Sequence, residues 1–172
     1  MKVKCIQNEK EYLRTIEGMG EGLVLFKTSV INKRIGQNFH LFFEDKRKPP
    51  LDIAINPDSG TVEYISYFVQ DEKLAVCNAI NDIEYKDGLV TIEEDSFDEK
   101  NTSISLEKKF KILKSNNDII VIHEDILNET LKAYKMDNSN YLLFSNDFDF
   151  CGILLKDISE KEIKEIQKSQ CL

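Results

Sequence analysis

The chain has 172 residues, 41% hydrophobic and 31% charged, with no Trp and a formal net charge of −8. That length fits a single domain over residues 1–172, able to bury roughly 70% of its unfolded surface, so the composition excludes a disordered chain. The negative charge disfavours phosphate backbones and anionic lipid, and therefore direct nucleic-acid or membrane-surface binding.

In chain order, residues 3–6 read as a short edge strand. Residues 8–19 read as a helix: Asn8 caps it, Glu11 stands three residues on, and Tyr12, Leu13, Ile16 and Met19 share one face. Gly18, Gly20 and Gly22 end it. Residues 22–29, 38–45 and 51–56 are strands, with a proline-ended basic loop at 46–50. The turn Pro57-Asp58-Ser59-Gly60 joins 51–56 to 61–69 as a hairpin. Residues 71–81 fit both a helix face and strand alternation, with a short helix or irregular segment favoured. A strand at 89–94 follows the Asp87-Gly88 turn.

Ile104, Leu106, Phe110 and Ile112 fall on even positions, the pattern of one half-wet strand. The turn 115–118 returns it as 119–123. A third hairpin runs 130–136 and 141–145 around the turn 137–140, and 148–156 adds a further strand. Residues 55–62 and 144–151 look alike, as two independently formed hairpins would. Ser159 and Glu162 make a capping box for a C-terminal helix with Ile163 and Ile166 inward. The expected fold is α+β: mainly antiparallel sheet built from hairpins, with a short N-terminal and a C-terminal helix.

The charge is uneven: residues 1–86 carry a net of −1 and residues 87–172 a net of −7. The acidity is densest at Glu93, Glu94, Asp95, Asp98 and Glu99, which are the candidate partner-binding residues. Cys5, Cys77 and Cys151 read as small core residues and Cys171 as a free tail thiol. The sequence carries no glycine-rich phosphate loop and no catalytic motif. Asp147, Asp149 and Gly152 begin like a calcium loop, but Cys151 and Ile158 stand where oxygen ligands belong. His123-Glu124-Asp125 cannot converge on one metal from an extended chain, and His40 reads as a strand residue. No metal, no cofactor and no catalytic residue is expected. The N-terminus has no apolar signal core and no run is long enough to span a membrane, so a cytoplasmic location is expected.

The stretch LDIAINPDSGTVEYISYFV at 51–69 and the tail at 141–166, ending in the capped helix, resemble small immunity-type proteins of bacterial toxin systems, especially those of Gram-positive bacteria. The resemblance implies a non-catalytic cytoplasmic protein that blocks a cognate toxin domain by direct binding. An acidic second half then suits a basic toxin domain. Two further readings stand beside it: a self-associating β-rich accessory module, and a small enzyme or ligand-binding domain with a site near His123.

Overall fold

The structure, a computed structural model, describes residues 2–6, 10–77, 82–126 and 130–171, and of residues 2, 3, 5 and 6 the backbone alone. The first nine strands are β1 (Lys2–Ile6), β2 (Tyr12–Gly20), β3 (Leu23–Val30), β4 (Phe39–Asp45), β5 (Lys48–Ile55), β6 (Val62–Gln70), β7 (Ala75–Val76), β8 (Ile83–Lys86) and β9 (Leu89–Glu93). Then come β10 (Ser103–Glu107), β11 (Phe110–Ser115), β12 (Asp118–His123), a 3-10 turn at Glu124–Ile126, β13 (Leu131–Lys135), β14 (Asn140–Phe144), β15 (Phe150–Leu155) and the helix α1 (Glu160–Lys168).

These strands form a six-stranded sheet in the order β10-β4-β5-β6-β3-β2, a seven-stranded sheet in the order β7-β11-β12-β15-β14-β13-β8, and a β1-β9 pair. The two large sheets face each other. Phe43 of the first stacks on Phe150 of the second at 5.0 Å between ring centroids and meets Phe110 edge-on at 5.7 Å. Alternation explains which face is inside: in β3, Val24, Phe26, Thr28 and Val30 are buried, while Leu25, Lys27 and Ser29 are half-buried on the outer side. One buried cluster takes residues from both large sheets, β9 and α1.

The seven-stranded sheet is curled. Val76 and Ile83 end strands at its opposite edges, and seven residue steps reach at most about 25 Å. Six flat strand spacings measure about 29 Å. The curled sheet buries its second face as well: Ile120, Leu131, Leu143, Cys151 and Leu154 form a separate core.

The expected fold class is therefore corrected. The protein is mostly β, and α1 is the one α-helix among the described residues. The sheets are mixed, because β10 runs parallel to β4, β7 to β11, and β8 to β13.

Within the expected N-terminal helix, Asn8 lies outside the described residues and Tyr12–Gly20 is a strand. Tyr12 and Ile16 satisfy both periods. Arg14 lies between them on the same side, but its charge hides the alternation. Thr15, Ile16, Gly18 and Gly20 all weaken a helix. The basic loop 46–50 is a tight turn at Lys46-Arg47, with both prolines inside β5. Of segment 71–81, residues 75–76 are strand and 78–81 lie outside the described residues. The strand expected to run from Ile104 to Ile112 breaks at Lys108-Lys109, its halves joining different sheets.

The C-terminal helix stands as read. The Ser159 hydroxyl accepts from the Glu162 N–H, the Glu162 carboxylate accepts from the Ser159 N–H, and Ile166 is fully buried. Cys171 is buried rather than a loose tail thiol, and its carbonyl accepts from the Leu74 N–H at 2.9 Å. Burial pushes its thiol up, with Asp71 adding to the rise. No described helix is long and apolar enough to cross a membrane.

Candidate functional site

The acidic segment begins on β9 and continues through the connection to β10. Glu93 is exposed and its carboxylate accepts from Lys4 at 2.8 Å. Glu94 is half-buried and accepts from the Ser96 hydroxyl at 3.3 Å. Asp98 accepts from the N–H groups of Lys100 and Asn101, both at 2.7 Å, and so shapes its own turn. Asp95 and Glu99 are exposed. The five carboxylates thus follow one short segment, and three of them, Glu93, Glu94 and Asp98, also make local contacts. This acidic rim is anchored by Phe97, which stacks on Phe39 at 4.6 Å. His40 N–H donates to the Thr102 carbonyl at 2.9 Å, fixing the end of this connection beside β4.

Phe39 shares the core side of β4 with Leu41 and Phe43, so the rim is held at the core side of that strand, and the outer face of the six-stranded sheet lies across it. The side chains of that outer face are half-buried at alternate positions where those of the inner face are buried. Phe42, Tyr64, Phe68 and Leu25 lie half-buried on it, on β4, β6 and β3. Among them runs a polar chain. His40 Nδ1 lies 2.9 Å from Asp52 Oδ1, and the Tyr64 hydroxyl donates to Asp52 Oδ2 at 2.6 Å. A carboxylate only accepts, so the imidazole presents an N–H to it. Burial, reinforced by Asp52, pushes the Tyr64 phenol well above its ordinary value. Tyr64 therefore stays a donor. Lys27 stands 4.5 Å above the Tyr64 ring, and His40 stacks on Phe42 at 5.4 Å. Ala54, fully buried beneath, lets these larger side chains lie down on the sheet.

Sequence reasoning treats His40 as a lone strand residue and does not bring these three together. Their signal is spacing. Residues 40, 52 and 64 are twelve apart, on successive antiparallel strands, and the register makes each pair diagonal neighbours.

His123 ends β12 with its side chain mostly buried, and Phe110 meets it edge-on at 5.8 Å. Its Nδ1 has no hydrogen-bond partner among the described residues and lies 4.0 Å from Asp125. Burial, with Lys108 nearby, lowers its pKa, so the ring rests neutral. Glu124 gives its N–H to Lys109 as the chain turns, and Asp125 is exposed. These three side chains do not form a common site.

Asp147 and Asp149 sit in the β14–β15 turn, where the Ser145 hydroxyl accepts from both their N–H groups. Cys77 is half-buried, Cys151 belongs to the second core, and the Cys5 side chain lies outside the described residues.

Two charged clusters are structural. Lys48 is buried against Glu72 and the Tyr67 hydroxyl, its ammonium 4.6 Å from the Tyr67 ring. Glu63, also buried, accepts from Lys10 at 2.9 Å and from Asn56 at 3.0 Å. Burial acts to raise the Glu63 carboxyl, and these hydrogen bonds outweigh it, holding the group below the usual range.

No family model matches the sequence, and comparison with curated proteins finds no match.

Proposed function

We propose that the chain is a non-catalytic acidic binding protein whose partner is a basic protein domain. An immunity protein neutralising a cognate bacterial toxin is the most specific form of this reading. The observation that carries it is the run of carboxylates at Glu93, Glu94, Asp95, Asp98 and Glu99, held against β4, the strand whose other side carries Phe42 in a half-buried aromatic face with Tyr64 and Phe68. Half-exposed aromatics supply contact area at low entropic cost, and a carboxylate rim steers a basic partner towards them. Net charge is −8, so the long-range field has the same sign as the rim.

The test uses affinity capture from the host, followed by association kinetics with the purified captured protein. Asp95→Lys with Glu99→Lys reverses two exposed charges and leaves the Lys4–Glu93 pair and the Asp98 turn in place. We expect association to slow roughly tenfold at low salt, and the difference to shrink as salt rises. An unchanged association rate would remove the rim from the interface.

A further inference from the structure

The six-stranded sheet ends on its other side at β2, whose one ladder partner is β3. Ile31 N–H donates to the Glu11 carbonyl at 2.9 Å, which makes residues 11 and 31 a hydrogen-bonded pair and fixes the phase of the ladder. Counting on from there, the N–H and C=O groups of Tyr12, Arg14 and Ile16 turn away from β3. No backbone group of a described residue meets them. At the next position in this series, Gly18, the N–H is taken by the Glu165 carboxylate of α1. A Cβ on Gly18 would lie 2.6 Å from Ser169 Oγ, so the helix closes the edge there.

Along the open part runs a groove made of two adjoining cavities of about 700 and 960 Å³, which share Tyr12, Asp137 and Asn138. The turn at 137–140 and the start of α1 wall its far side. Its floor is rigid, because Arg14 is clamped below by Glu162 and the Lys156 carbonyl. Its outer lip bears Leu13 and Ile31, which are 60% and 54% exposed.

We infer that this groove accepts an extended segment of another polypeptide, which adds as a further strand on β2. Main-chain donors and acceptors of Tyr12, Arg14 and Ile16 supply the ladder, and aliphatic residues at alternate positions of the segment cover Leu13 and Ile31. The β2 edge of a second copy is the wrong shape for the site. It too carries the turn 137–140 and α1 alongside, and two walled edges cannot approach to strand spacing. A single strand can. The site lies at the opposite edge of the sheet from β10 and the acidic rim, so it stands or falls separately from the proposed interface.

The probe is a capped synthetic peptide alternating valine and threonine between terminal lysines, titrated into isotope-labelled protein and followed by amide exchange. Without peptide, the amides of Tyr12, Arg14 and Ile16 should exchange quickly and those of Leu13 and Thr15 slowly. With peptide, the first set should become protected. N-methylation of one alternate set of peptide amides should abolish binding while methylation of the other set is tolerated. Leu13→Glu, at an exposed side chain, should weaken binding roughly tenfold. Protection of Tyr12, Arg14 and Ile16 in the free monomer would overturn the inference, as would their protection by concentration-dependent dimerisation. So would peptide binding that ignores N-methylation, or no binding at millimolar peptide.

Discussion

Arg14 shows how much one side chain fixes. Its guanidinium donates to Glu162 at 2.7 Å and to the Lys156 carbonyl at 2.8 Å, joining the edge of one sheet to the connection that leads from the other into α1. Both partners of the ion pair are mostly buried, so Arg14→Met strands a carboxylate and a carbonyl. We expect a loss of about 2–4 kcal/mol in urea unfolding. The Glu162 carboxyl is pushed up by burial and pulled down further by Arg14 and Ser159, and ends below its ordinary value of 4.5. With the folded value below the unfolded one, its contribution is complete above about pH 4.5. It disappears as pH falls through the folded value. Stability should therefore drop on acidification below that point, and Glu162→Gln should flatten the drop. Equal slopes for the two proteins would assign the acid sensitivity elsewhere.

Among the elements, β15 is the most constrained. It lies between β12 and β14, and Gly152 pairs across to Ile122 on one side and Leu143 on the other. Its φ of +151° and the 1.9 Å separation between an added Cβ and the Val121 carbonyl leave room for glycine alone. Gly152→Ala should cost about 4 kcal/mol or more by thermal unfolding. A fold with native stability would contradict the register between β12 and β15.

Elements whose signals are local were legible in the sequence. The Ser159/Glu162 capping box and the turns at 57–60, 115–118 and 137–140 fall where they were read. β2 was illegible because its inward position at Arg14 is filled by an ion pair with a residue of α1, a long-range fact. The break between β10 and β11 was hidden for a related reason. Phe110, Ile112 and Ile104 all contact the main core, so the even-position pattern persists while the chain changes sheets. The rim carboxylates were visible as composition. The His40–Asp52–Tyr64 chain needed the register of two hairpins to bring it together.

For the whole molecule, the two faces of the six-stranded sheet divide the work. The inner face joins a core shared with the curled second sheet, and the outer face keeps its aromatic side chains half-exposed. The central claim is that this outer face is where the partner sits. Hydroxyl-radical footprinting of the complex with the captured partner tests it most directly, because Phe42, Tyr64 and Phe68 are all reactive and all half-exposed in the free protein. The account predicts that oxidation of these three falls severalfold on binding, while that of Tyr85 on β8 and Phe148 in the β14–β15 turn, which are 51% and 39% exposed, is unchanged. Protection of Tyr85 or Phe148 with Phe42, Tyr64 and Phe68 still reactive would contradict it.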